Sequence, residues 1–338
     1  MKKVITCFTF HVLLVMIGLG QTSLSGRLIS LPNTTVRLVG DQSSLNDYIG
    51  KTYATAVSDG QGSFVLNFDL GEEKPLVLYA GQLFFKCWFV PGQPLTIIES
   101  SANGYRFEGT AASSNALLLK AGIMIPNQLS TSMQTAKFEP QLALRYLDSI
   151  ENIRVKMFQE FSKSRLESKK FAEYYKAEVS SFTAFSKSQY PSKFLYMDKS
   201  IQQKDIPQGY FDFWKKFELT SDNCASDMYQ NAVRDYISYK ANVLLGDNAG
   251  RFDSLMKKTL EQSYLVLKNH PLTLQKQRAE TILFLIRYLD LPSITSEAIY
   301  HYNIDYPKQE SALLIEKEWT KKLANAQKKI SFSLRDMA

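Results

Sequence analysis

The feature that most constrains the fold is a change of hydrophobic periodicity near residue 110. Before it, short runs of β-branched and aromatic residues alternate with turn residues such as Asp59-Gly60 and Pro91-Gly92. After it, apolar residues recur at intervals of three and four, which places them on one face of a helix. The two patterns predict an α+β protein, with an N-terminal antiparallel β-sandwich over 21–110 followed by an all-helical domain over 111–329.

The strand signals in 21–110 are a series of short runs separated by turn residues. The runs cover Leu24–Ile29, Thr35–Val39, Ser63–Phe68, Leu76–Tyr79, Leu83–Val90, Leu95–Glu99 and Tyr105–Phe107. Asn103-Gly104 is a pair typical of a two-residue hairpin. Many short strands at this spacing favour a sandwich.

The helical signals begin with three long apolar faces. They extend from Leu142 to Phe161, from Phe171 to Phe185 and from Met228 to Leu244. The second helix is expected to end before Pro191. Four further helices are expected at 253–268, 272–289, 294–303 and 308–329, where Pro271, Pro292 and Pro307 fall in first turns that tolerate proline. Aromatic stripes on these helices could line a ligand groove, but their spacing favours core packing.

The first twenty residues have the layout of a signal peptide. Lys2 and Lys3 precede an apolar stretch, and small Gly18 and Gly20 stand before Gln21. A retained membrane anchor is the alternative, although the apolar stretch is shorter than the roughly 20 residues of a span. We therefore expect cleavage near Gly20/Gln21 and an exported, soluble, periplasmic protein with no stable membrane span.

The charge of the chain is unevenly distributed. Loss of Lys2 and Lys3 with the signal lowers the net charge from +7 to +5, and residues 21–110 carry six basic against eight acidic residues. The helical part is therefore basic, which could indicate a nucleic acid or an anionic lipid as partner. Because its Lys and Glu residues are interleaved and no Arg-rich run occurs, we expect a solvated helix surface and no nucleic-acid partner.

Two cysteines, Cys87 and Cys224, remain after signal cleavage. An exported protein could pair them, but sequence alone does not give the distance between their Cα atoms. Cys87 lies in an apolar run and is expected to be a small buried hydrophobe. No Cys-x-x-Cys motif occurs, so this sequence does not contain a dithiol redox centre of that kind.

The remaining candidate chemistry is sparse. His270 precedes a proline at a helix boundary and His301 is expected on a helix surface, and neither has a second ligand at zinc-site spacing. Gly50-Lys51-Thr52 matches the end of a phosphate-binding loop, but the loop's first glycine is replaced by Leu45. No Gly-x-Ser-x-Gly motif occurs. We predict no catalytic residue, no cofactor-binding residue and no metal ligand.

Several motifs combine into a family resemblance. They are Asp59-Gly60-Gln61-Gly62-Ser63-Phe64, Phe89-Val90-Pro91-Gly92-Gln93-Pro94-Leu95 and Phe107-Glu108-Gly109 with Asn115 soon after. With the export signal and a helical domain rich in Tyr and Phe, the chain resembles the N-terminal accessory region of exported thioredoxin-like disulfide reductases of Bacteroides-type bacteria. In that family the β domain has no assigned function.

The C-terminal segment extends the resemblance. Ile330–Leu334 alternates apolar and polar residues and predicts a strand. Phe332–Ala338 is similar to the opening strand of a thioredoxin-like domain, so 330–338 is expected to begin a truncated domain of that kind. The family's redox motif, Trp-Cys-x-x-Cys, is absent, and neither Cys87 nor Cys224 matches it.

The resemblance implies an exported set of accessory domains that is inactive in thiol–disulfide exchange by itself. A different class of function stays open. The chain could be a stand-alone cell-envelope module for binding or scaffolding, whose partner is a protein, a peptide or a glycan.

Overall fold

The structure is a computed structural model, and it describes residues 21–40, 51–100, 104–124, 137–164, 168–198, 200–220, 226–245 and 252–335. The predicted signal, Cys224 and residues 336–338 lie outside these ranges. The described residues form two compact units. The first contains 21–40, 51–213 and 226–229, and the second contains 214–220 and 230–335.

The described part of the first unit contains eight strands in two four-stranded sheets. They are β1 (Gln21–Arg27), β2 (Thr35–Gly40), β3 (Thr52–Val57), β4 (Ser63–Asp69), β5 (Lys74–Ala80), β6 (Leu83–Phe89), β7 (Pro94–Ser100) and β8 (Gly104–Gly109). One sheet has the order β4-β1-β7-β8 and the other β3-β2-β5-β6. Neighbours are antiparallel except β1 and β7, which are parallel. The predicted α+β class and its β-sandwich are confirmed.

The sandwich core forms because strand residues alternate between the two faces of each sheet. In β4, Phe64, Leu66 and Phe68 are buried while Val65 and Asn67 are exposed. Ring contacts join the sheets, as Phe68 meets Phe89 at 5.4 Å between centroids. Full burial of each such side chain contributes about 1.5–3 kcal/mol.

Strand β6 is buried on both faces. Phe85, Cys87 and Phe89 point between the sheets, whereas Lys86 and Trp88 point to the opposite face. Helices cover that opposite face, so the strand appears in the sequence as a nearly continuous apolar run.

Three helices of the first unit follow the strands: α1 (Ala112–Lys120), α2 (Pro140–Ser164) and α3 (Lys169–Met197). Helix α3 packs on β6, where Trp88 stacks on Tyr174 with 5.2 Å between ring centroids. Asn115 of α1 closes the edge of β6, because its side chain accepts from the Trp88 N–H and donates to the Trp88 carbonyl, both at 2.9 Å. The change from strand to helix after Gly109 therefore does not separate two cores.

Helix α3 does not end before Pro191, so that prediction is wrong. A proline inside a helix leaves the carbonyl four residues earlier without its usual donor. Here that carbonyl belongs to Lys187, and the buried Tyr210 hydroxyl donates to it at 2.9 Å. Tyr210 begins a short 3₁₀ segment, Tyr210–Lys216, which no sequence pattern predicted.

The remaining helices are α4 (Asp227–Leu245), α5 (Phe252–Leu267), α6 (Pro271–Tyr288), α7 (Pro292–Asp305) and α8 (Glu310–Arg335). From Gln230 onwards α4 belongs to the second unit, which has its own core, formed mainly by apolar residues of α6, α7 and α8. Pro271 and Pro292 stand in the first turns of their helices, as predicted, whereas Pro307 lies in the turn before α8, which begins at Glu310. Within the described ranges no helix is long and apolar enough to cross a membrane.

The predicted strand at Ile330–Leu334 is wrong, because α8 continues through these residues to Arg335. A strand needs a neighbouring strand for its backbone N–H and C=O groups, and none of the described strands pairs with these residues, whereas a continuing helix bonds these groups internally. Alternation over five residues is too short a signal to outweigh that gain.

Candidate functional site

Cys87 lies at the centre of the sandwich and has no exposed surface. Burial raises the pKa of its thiol far above the ordinary value, so the reactive thiolate is suppressed. Cys87 forms no disulfide with any residue that the structure describes. The prediction that it is a small buried hydrophobe is confirmed, and its pairing with Cys224 stays untested.

His270 directly precedes α6, and His301 is an exposed residue of α7. Among the described residues, no group of three or more His, Cys, Asp or Glu side chains is placed to hold a metal ion.

The glycine-rich motif after β3 is a turn. The Asp59 carboxylate accepts from the N–H groups of Gln61 and Ser63, both at 2.8 Å, and these bonds lower its pKa. Gly62 has a φ of 79°, and a Cβ there would lie 2.0 Å from the Leu28 carbonyl oxygen. Both residues thus shape the connection from β3 to β4.

A groove of about 330 Å³ lies among α5, α6 and α7 in the second unit. Leu260, Tyr264, Ile294 and Ala298 contribute its apolar walls. His301 is exposed on α7, so its predicted position on a helix surface is confirmed. Its side chain also lines this groove. A mostly apolar concavity with a few polar groups is the usual form of a ligand or peptide site.

Arg278 lines this groove, but its positive charge is already paired with a carboxylate. Its guanidinium pairs with the Asp305 carboxylate and lies 5.8 Å and 5.7 Å from the ring centroids of Tyr302 and Tyr306. The Arg278 guanidinium is therefore not a free cationic site in this groove.

A second notable arrangement is a buried ion pair in the first unit. Lys86 Nζ lies 2.8 Å from Glu178 Oε1, and each side chain is only 3% exposed. The Ser226 hydroxyl donates to the other carboxylate oxygen of Glu178 and accepts from the Tyr229 N–H at 2.9 Å. Glu178 thus contacts β6 and the residue that caps α4.

More charges continue from this pair along the interface of α2 and α3. Together they form a charge network of alternating sign: Lys86, Glu178, Arg154, Glu151, Lys187 and Asp148. Lys187 Nζ lies 2.6 Å from Asp148 Oδ1. Burial lowers the pKa of Arg154 and raises the pKa of Glu151, and the oppositely charged neighbours act against both shifts. Alternation of sign is what allows so many charges to share a partly buried interface.

No sequence pattern predicted this network. The available signal was Lys86, a lone cation inside the apolar run Leu83–Val90. Charged residues are rarely buried without a partner, so the run implied a buried anion. It could not identify Glu178, which is 92 residues away.

No family model matches the chain, and no curated protein matches it. The fold therefore defines a class only: an α+β protein in which helices cover one sheet of a β-sandwich and a helical unit follows.

Proposed function

We propose that the chain is an exported periplasmic protein that corresponds to the accessory β and helical domains of a thioredoxin-like disulfide reductase. By itself it would not exchange thiols and disulfides. Its partner would be a protein or peptide of the cell envelope. Cleavage after Gly20 would leave β1, which begins at Gln21, intact in the mature chain.

The observation that carries the proposed lack of thiol–disulfide exchange is the burial of Cys87. A thiol without exposed surface and with a strongly raised pKa cannot attack a disulfide in the folded protein. Because Ile330–Leu334 are helical, the likeness of that segment to an opening strand no longer contributes. The motifs of the sandwich remain, and three of them lie at β-strand ends or turns: Asp59–Phe64, Phe89–Leu95 and Phe107–Gly109.

Two measurements test the proposal. The mature chain from Gln21 onwards is assayed for dithiol-dependent reduction of insulin, with a thioredoxin as positive control, and we expect no turnover above the buffer rate. The DNA directly downstream is also read. A Trp-Cys-x-x-Cys segment in any frame supports the proposal, whereas robust insulin reduction by the mature chain contradicts it.

The groove among α5, α6 and α7 favours a second candidate function, a stand-alone binding module. Its apolar walls could accept an apolar side chain of a protein or peptide partner. An Ile294→Asp variant places a carboxylate in the wall and should abolish such binding. Leu313→Asp, at a residue that is 60% exposed and outside the groove lining, is the matched control.

The readout is retention of a purified envelope protein by each immobilised variant, followed by titration calorimetry. Loss of affinity in Ile294→Asp with full affinity in Leu313→Asp supports the groove. Equal affinity in the two variants contradicts it.

A further inference from the structure

We infer that Glu178 is a conformational connector, which ties the first turn of α4 to the docking of α3 on the sandwich. We call the contacts among Lys86, Glu178, Ser226 and Tyr229 the Glu178 bridge. One carboxylate oxygen binds Lys86 of β6, and the other accepts from Ser226. The same carboxylate therefore contacts a strand of the sandwich and the residue that caps a helix.

The hydrogen-bond inventory of Ser226 explains the connection. A serine hydroxyl has one proton to donate and can accept with its lone pairs. With the proton directed to Glu178, the oxygen is free to accept from the Tyr229 N–H, which is an N-terminal helical N–H without an intrahelical acceptor. Loss of the carboxylate would leave this buried hydroxyl proton without its acceptor and the cap without its orientation.

Burial makes the bridge specific to one arrangement. Ser226 and Tyr229 have no exposed surface, and the side chains of Lys86 and Glu178 are each 3% exposed, so water does not replace a lost partner. A buried ion pair of this kind is often no more stabilising than well-packed apolar residues. The bridge instead couples two structural events. Ser226 is oriented to cap α4 only when Glu178 is paired with Lys86, and this pairing requires α3 to be packed on the sandwich.

Native-state hydrogen exchange of the folded mature chain tests this inference. The probe is the Tyr229 amide, with amides of β1 as the reference for global unfolding. Ser226→Ala should accelerate Tyr229 exchange about fivefold to tenfold through loss of the cap. Glu178→Gln should accelerate the same amide about threefold or more, because Glu178 accepts from the hydroxyl that caps this N–H.

Glu178→Gln could fail to fold because it leaves the Lys86 charge buried without this carboxylate. The double variant Lys86→Met/Glu178→Met avoids that problem, because it removes both buried charges together. We expect it to keep the β1 amides protected while Tyr229 exchanges as fast as in Ser226→Ala. Glu173→Gln is the control on the same helix, since Glu173 is in a solvent-exposed pair with Lys169 at 3.8 Å. Wild-type exchange at Tyr229 in the double variant, or an equal acceleration of Tyr229 and β1, overturns the inference.

Discussion

At the scale of single residues, Lys86 and Glu178 should each be costly to replace alone, although the pair itself adds little net stability. Removing one member leaves the other charge buried without the opposite charge of this ion pair. Lys86→Met or Glu178→Gln should therefore lower the free energy of unfolding by about 3–5 kcal/mol, and Lys86→Met/Glu178→Met should recover most of the loss. Urea unfolding followed by circular dichroism measures these values.

The matched control is an ion pair of similar length in solvent. Lys163 Nζ lies 2.7 Å from Glu160 Oε1, with side chains 71% and 73% exposed. Lys163→Met should change the free energy of unfolding by less than about 1 kcal/mol. A cost for Lys86→Met no larger than that for Lys163→Met would contradict the importance of burial.

Glu151 should make stability depend on pH in a direction opposite to that of a salt-bridged carboxylate. Burial raises its pKa in the folded state, so the folded protein binds the proton more readily than the unfolded chain. Its contribution is therefore most favourable below its unfolded pKa and is lost as pH rises through the folded value. Glu151→Gln, which stays uncharged, should gain stability relative to wild type on going from pH 4 to pH 7. The urea midpoints of wild type and variant at the two pH values check this. If the midpoints of the two proteins differ by the same amount at pH 4 and pH 7, the prediction is contradicted.

At the scale of elements, Tyr210 allows α3 to continue through Pro191. Tyr210→Phe removes the donor to the Lys187 carbonyl and should cost about 1–3 kcal/mol. In a Pro191→Ala background the backbone N–H of residue 191 can bond that carbonyl instead, so the same change should cost clearly less. A double-mutant cycle measured by urea unfolding gives the difference. Strict additivity would show that the hydroxyl does not substitute for the missing N–H.

The turn between β3 and β4 offers a second test at this scale. Gly62→Ala should destabilise the protein by at least about 1 kcal/mol, because a positive φ and a 2.0 Å approach to Leu28 O both oppose a Cβ. Gly71→Ala is the control, since a Cβ there meets no atom within 4 Å. Thermal unfolding of both variants measures the effect, and equal melting temperatures would contradict it.

Long periodic elements were predictable from sequence, and short or context-dependent ones were not. The face from Leu142 to Phe161 predicted α2 because many residues repeat one spacing. Strand β3 was missed because two of its six residues are alanines, which have low strand preference. Pro191 led to the wrong prediction that α3 ends before it. The hydrogen bond that lets the helix continue comes from Tyr210, which is 19 positions away and is not part of any local pattern.

At the scale of the whole molecule, the sequence located the change from strands to helices but not the division into compact units. The change comes after Gly109, yet α1, α2 and α3 share a core with the sandwich through residues such as Leu118 and Phe171. The spacing of apolar residues along the sequence indicates local conformation, whereas a compact unit is defined by contacts between distant segments. The candidate sites were hidden for the same reason, since the groove and the Glu178 bridge each draw on separate elements.

Counting reactive thiols in the native protein tests the central claim most directly. The mature chain with Cys224→Ser retains Cys87 as its single cysteine. With a chromogenic disulfide reagent, we predict no reaction in native buffer and one thiol per chain in concentrated guanidinium chloride, because only unfolding exposes the sandwich core. Reaction of Cys87 in the native protein at the rate of a free thiol would contradict the account of a sealed, redox-inert sandwich.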